Sequence, residues 1–241
     1  MERRVERIVF DEAHCFSSWG HDFRVDYLYL AEFLRDLKKE KNLENPIPIS
    51  CFTATAKKSV VEDICSYFKE RLNINLVQFI SPAKRLNLTY KVVESSESKN
   101  ERCKQLINLL REYAGPKIIY ASKVKTTESL AEELYNRGFA SACYNGKMES
   151  EKKMVIQDQF QNEEVDTIVA TTAFGMGVDK DNFELVAHYE ISSTLENYVQ
   201  EAGRAGRDPN LQAACVALFH PNDLNTSFQI LQQSKLSAQE I

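Results

Sequence analysis

Short apolar runs alternate along the chain with longer segments whose apolar residues recur at helical spacing. The runs predict strands over 7–10, 46–52, 76–80, 88–93, 117–120, 141–144, 166–170, 185–189 and 213–219. Helices are expected over 26–41, 57–71, 101–113, 124–137, 149–161 and 194–203. In the second of these Val60, Val61, Ile64, Cys65 and Phe68 share one face, and in the third Cys103, Leu106, Ile107 and Leu110 do. Gly138 stands where a left-handed cap would end the 124–137 helix. Strand–helix alternation of this kind argues for an α/β fold with parallel sheets built from βαβ units. A boundary falls near 81–88, before the polar loop 95–100, leaving a short first unit and a longer second one. The first unit offers about three strands, fewer than a doubly wound sheet normally uses. Its opening strand begins at residue 7, so the chain reads as a piece of something longer.

Composition narrows the classes. Of 241 residues 43% are hydrophobic and 27% charged, the balance of a globular protein with material for a sizeable core. The net charge of −5 excludes coating of nucleic acid by bulk charge but not a local basic track. No run approaches the roughly 20 apolar residues of a membrane span, and the first seven residues cannot be a signal peptide. The six cysteines form no Cys-x-x-Cys pair and the four histidines no His-Glu-x-x-His, so a reduced, cytoplasmic, zinc-free protein is expected.

The chemistry-bearing segments sit where strands end. Asp11-Glu12-Ala13-His14 follows the first strand directly, and ligands of open α/β sheets bind at such carboxyl ends. Two acids there suit a Mg²⁺ that keeps its waters and phosphate oxygens, with the neighbouring acid turned to an attacking water. The stretch from Phe16 to Arg24 carries Trp19, His21 and Phe23 in a polar, glycine-broken setting. It admits two readings: a stacking platform for single-stranded bases, or rings packed under the sheet. Thr53 and Thr55 precede the 57–71 helix, where one threonine could serve only as an N-cap. Thr171, Gly177 and Asp179 follow another strand, with glycines that allow close approach of a phosphate. Gln200-Glu201-Ala202-Gly203-Arg204-Ala205-Gly206-Arg207 is the most specific signal, two guanidinium groups three residues apart among small residues that let a phosphate approach. A structural salt bridge is its alternative reading.

In this order the segments resemble the RecQ family of superfamily 2 DNA helicases, in register over about residues 7–222. Asp11-Glu12-Ala13-His14 is similar to motif II, Thr53-Ala54-Thr55 to motif III, and 117–122 to motif IV. Residues 170–180 resemble motif V, 200–207 motif VI, and 16–24 the family's aromatic-rich loop. The resemblance implies RecA-like parallel sheets with flanking helices. Residues 1–84 would be the C-terminal part of a first domain, 85–222 a complete second one and 223–241 a helical tail. It also implies ATP and Mg²⁺ as cofactors and single-stranded or partly duplex DNA as partner.

Under the resemblance Asp11 would bind Mg²⁺ through water and Glu12 would activate the hydrolytic water. His14, Thr53 and Thr55 would link nucleotide to DNA, and Phe16, Trp19, His21, Phe23 and Arg24 would sense a single strand. Gly177, Asp179, Gln200, Arg204 and Arg207 would face the nucleotide, Arg207 as the arginine finger. Ser122, Lys123 and Thr171 would touch the DNA backbone. Two departures stand out. No Gly-x-x-x-x-Gly-Lys-Ser/Thr occurs, Gly146-Lys147 being followed by Met148, so the phosphate cradle and the first half of the first domain are expected elsewhere. Asn145-Gly146-Lys147 also stands where relatives more often show His-Ala-Gly. Two other classes remain open: an ATP-driven translocase that remodels complexes without separating strands, and a non-hydrolysing fragment that binds DNA or a partner.

Overall fold

A computed structural model describes residues 5–17, 26–41, 43, 47–54, 57–80, 84–174, 180, 182–225 and 228. The chain divides into two units, Met1–Pro82 and Ala83–Ile241.

In the first unit, β1 (Ile8–Phe10) pairs in parallel with β2 (Ile49–Cys51), Ile8 opposite Ile49 and Phe10 opposite Cys51. Helices α1 (Asp26–Glu40) and α2 (Lys58–Leu72) accompany them. Val60, Ile64 and Phe68, spaced one helical turn apart, bury their side chains with Ala13 and Phe16. Asn73 ends α2 in the left-handed conformation and donates its N–H to Lys69 O. The strand expected over 76–80 does not form. Ile74 and Leu76 pack on the core, while Val77, Phe79 and Ile80 are exposed. An apolar run alone makes no strand without a ladder partner, and among the described residues the first unit's sheet has two strands, not three.

The second unit holds β3 (Leu88–Glu94), α3 (Lys99–Leu110), β4 (Lys117–Tyr120), α4 (Val124–Asn136), β5 (Ser141–Tyr144), α5 (Ser150–Gln161), β6 (Thr167–Ala170), β7 (Leu185–His188), α6 (Leu195–Ala202) and β8 (Ala213–Phe219). Its strands form one sheet in the order β3-β8-β7-β4-β6-β5, every pair parallel. The central strands read Lys-Ile-Ile-Tyr, Thr-Ile-Val-Ala and Leu-Val-Ala-His and are buried throughout, as a sheet covered on both faces requires. One face, with Ile119, Val169 and Leu185, packs on Leu106 and Leu110 of α3 and Leu130 and Leu134 of α4. The other, with Ile118, Ile168 and Val186, packs on Phe160 of α5 and Ala202 of α6. Gly138 takes φ +88° just past α4, the backbone its position demanded. Thr194 caps α6 by accepting the Asn197 N–H at 3.1 Å. After β8 the chain turns helical at 222–225, where Asp223 receives a two-pronged contact from buried Arg102 at 2.9 and 2.6 Å. Among the described residues no helix is long and apolar enough to cross a membrane.

Candidate functional site

In the first unit the site is built on the carboxyl end of β1. Asp11 and Glu12 are exposed there, and Glu12 adopts φ 49°, ψ 45°. A left-handed non-glycine residue costs about 1–2 kcal/mol, and such strained residues gather at functional sites. The Glu12 backbone N–H donates to Asp11 Oδ1 at 2.9 Å, fixing the Asp11 carboxylate against the turn. Ala13 N–H then donates to Phe52 O at 2.8 Å, which ties this turn to the end of β2. The short 3-10 turn Ala13–Phe16 buries His14, whose Nδ1 lies 3.1 Å from Glu12 Oε2 and 3.4 Å from Thr53 Oγ1. Four residues singled out from the sequence, Asp11, Glu12, His14 and Thr53, thus meet in one place.

Phe16 corrects an expectation. Its ring is buried amid Phe10, Tyr27, Tyr67 and Phe68, with centroids 4.8–5.4 Å away. It offers no face to a base and anchors the start of the aromatic segment instead. Ser17 adds a second anchor, its hydroxyl 2.5 Å from Asp63 Oδ2. Trp19, His21, Phe23, Arg24 and Thr55 lie outside the described residues, as do Gly177 and Asp179.

In the second unit the order β7-β4-β6 brings Glu190, Ser122 and Thr171 to one edge of the sheet. Ser122 is exposed and gives both its N–H and its hydroxyl to Glu190 Oε2, at 2.7 and 2.5 Å. Lys123 is the exposed N-cap of α4. Thr171 is half-buried at the head of a tight turn, its carbonyl accepting the Phe174 N–H at 3.1 Å.

On α6 and just past it, Gln200 is exposed, Arg204 half-buried and Arg207 exposed. Both guanidinium groups act on Tyr120 at the end of β4. Burial pushes this phenol far up from its usual range; the charge of Arg204 and its hydrogen bond, and the charge of Arg207, pull it back. The phenol also donates to Phe174 O at 3.2 Å. Beneath these residues Glu201 is buried, its Oε2 receiving the Ser192 hydroxyl at 2.5 Å and lying 2.9 Å from His188 Nε2. The fully buried His188 ring stands between Tyr120 and Tyr198, with centroids 5.4 and 4.8 Å away.

Glu190, Glu201, His188 and Ser192 were not singled out from the sequence. A signal existed for two of them. A histidine closing the otherwise apolar run Leu-Val-Ala-His must find a polar partner, and Glu201 follows Tyr198 by one turn on the inward side of α6.

A helicase conserved C-terminal domain matches residues 98–209 and a DEAD/DEAH box helicase domain matches 2–64. The probable ATP-dependent DNA helicase RecS of Bacillus subtilis (strain 168) is 35% identical over 238 residues, which are 98% of this chain and 46% of that protein. The ATP-dependent DNA helicase RecQ of the same organism is 37% identical over 231 residues, 96% of this chain and 37% of that protein. The chain therefore spans less than half the length of these curated relatives. Among solved structures, the Mycobacterium smegmatis helicase Lhr bound to ssDNA and AMP-PNP superposes with a TM-score of 0.68 at 17% identity, over 95% of this chain and 31% of that one. Saccharomyces cerevisiae Dbp5 bound to RNA and ADP BeF3 gives 0.65 at 17% identity, over 95% and 56%. These structures share the RecA-like fold. With two helicase domains matched in order, and RecS and RecQ aligned along nearly its whole length, the chain is similar throughout to part of the RecQ-family helicases.

Proposed function

We propose that this chain supplies motifs II to VI of a helicase that couples ATP hydrolysis to 3′-to-5′ unwinding of DNA, acting with a P-loop segment that its own sequence does not contain. The observation that carries the reading is the Glu12–His14–Thr53 cluster. Asp11 spends Oδ1 on the Glu12 N–H and stays exposed, which suits a Mg²⁺ carried in by the nucleotide and held through water. Among the described residues no cluster of three or more acidic, His or Cys side chains forms a metal cage of its own, and a nucleotide-borne ion needs none.

Glu12 is the base for the hydrolytic water, and His14 Nδ1–H orients its carboxylate. The same Nδ1 is within reach of Thr53, so a ring movement toward one partner loosens the other; motif III thereby senses the nucleotide site. Gln200, Arg204 and Arg207, with Gly177 and Asp179, face the nucleotide, and an arginine reaching its γ-phosphate is worth about 10³–10⁵ in rate. Trp19, His21, Phe23 and Arg24 stack on and sense a single strand. Ser122, Lys123 and Thr171 contact its backbone.

The test is a chimera in which the P-loop half of the Bacillus subtilis RecQ relative precedes Met1. ATP hydrolysis is expected, stimulated by single-stranded DNA and abolished by Glu12→Gln with ATP binding retained. Undiminished turnover in Glu12→Gln, or a chimera that binds ATP but ignores DNA, overturns the reading. The chain by itself should not hydrolyse ATP.

A further inference from the structure

The loop that follows α6 carries Arg207, and it has no ladder or helix to hold it between 203 and 212. Its carbonyls are instead taken up by the first residues of the second unit. Asn87 is 6% exposed, and its Nδ2 lies 2.8 Å from Gly206 O, 3.1 Å from Asp208 O and 2.9 Å from Leu211 O. Arg85 donates through one terminal nitrogen to Ala205 O at 3.2 Å and to Gly206 O, and through Nε to Asn87 Oδ1 at 3.3 Å. From the other side, the Asn87 carbonyl accepts the Ala213 N–H at 3.0 Å, and Gly206 N–H donates to Phe183 O at 2.9 Å. Gly206 fits this grip in two ways. It takes φ +49°, and a Cβ there would meet Asn87 Nδ2 at 2.8 Å.

We propose that Arg85 and Asn87 are positioning residues for Arg204 and Arg207. The segment by which the chain enters its second unit holds the arginine loop by four of its carbonyls, so displacement of that segment displaces the loop. What the arginines then do rests on the helicase reading. Within that reading the placement matters steeply, because a misplacement of about 1 Å in a catalytic constellation can cost 10²-fold in rate.

The test is amide hydrogen exchange on the 241-residue chain, followed by NMR in Asn87→Ala and in the milder Arg85→Ala. Exchange of Gly206 and Leu211 should accelerate at least tenfold. Exchange of Ala121 and Tyr189, whose N–H groups pair with Ala170 O and Tyr120 O in the sheet, should stay within twofold. Unchanged exchange at 206 and 211 overturns the proposal. So does equal acceleration everywhere, which is what loss of general stability would produce. Should Asn87→Ala fail to fold, Arg85→Ala decides between the same outcomes. No nucleotide enters the measurement, so failure of the helicase reading and failure of this one are told apart.

Discussion

Replacing Glu201 by alanine removes one acceptor from a buried and a half-buried donor. In the intact protein Glu201 Oε2 receives the Ser192 hydroxyl at 2.5 Å and lies 2.9 Å from His188 Nε2, with His188 wholly buried. A hydrogen bond to a charged group contributes about 1.5–3 kcal/mol net. Leaving a buried donor without its partner costs about 1–3 kcal/mol, because it is stranded away from water. Over the two donors the loss comes to about 4 kcal/mol. For a unit of this size each kcal/mol lowers Tm by about 2–4 °C, so the second unit should melt about 10 °C lower. Glu201→Gln keeps the shape and one acceptor oxygen and should lose about half as much. The assay is thermal unfolding followed by far-UV circular dichroism, with tryptophan emission recorded in parallel. Trp19 is the sole tryptophan and belongs to the first unit, so its transition should not move. A second-unit shift under about 3 °C for Glu201→Ala, or equal losses for the two variants, would refute the idea that this carboxylate clamps α6 to the end of β7.

Phe16→Ala should lower the tryptophan-detected transition, since emptying a five-ring cluster costs about 3–5 kcal/mol; an intact transition with weakened DNA binding would restore Phe16 to the stacking platform. Glu190→Ala should strengthen binding of a labelled oligo-dT severalfold at low salt, because it frees both Ser122 donors and removes a charge that repels phosphate. Fluorescence anisotropy reads this directly, and weaker binding would place Glu190 on the DNA side. Arg102→Ala should destabilise the second unit by about 3–5 kcal/mol in denaturant unfolding, since it strands Asp223 beneath the 222–225 turn; a loss below about 1 kcal/mol would show that turn to be ornamental. In the chimera, Asn87→Ala should lower kcat for ATP at least tenfold with KM changed less than threefold, and a change in KM alone would mean the loop serves binding rather than turnover.

Much of the second unit could be read from its residues, because a strand buried on both faces must be apolar throughout and a helix beside it apolar on one stripe. Lys117–Tyr120, Ser141–Tyr144 and Ala213–Phe219 are found with the boundaries their hydrophobic runs imply. The first unit was less legible for the same reason reversed. An apolar run such as 76–80 looks like a strand wherever it occurs, and only a neighbouring ladder makes it one. Phe16 shows the limit at the level of a side chain: in a segment rich in rings, composition cannot say which ring points inward. That choice was made by Phe68 and Tyr67, about fifty residues along the chain.

The residues that escaped sequence reading have a common property: each acts on a backbone or on another polar side chain rather than on a ligand. Asn87 and Arg85 hold carbonyls at 205, 206, 208 and 211, Glu190 holds the Ser122 amide, and Glu201 holds His188 and Ser192. Groups that meet a phosphate or a metal must combine charge, small neighbours and fixed spacing, and such a combination is visible in a linear sequence. Groups that fix those residues in place need only one correct distance across the fold, here between residues about 120 positions apart for Asn87 and its loop. It follows that substitutions at Asn87 or Glu201 should disturb the arginine pair without altering any motif residue that meets a ligand. A sequence that retains every such residue can therefore still fail to place them.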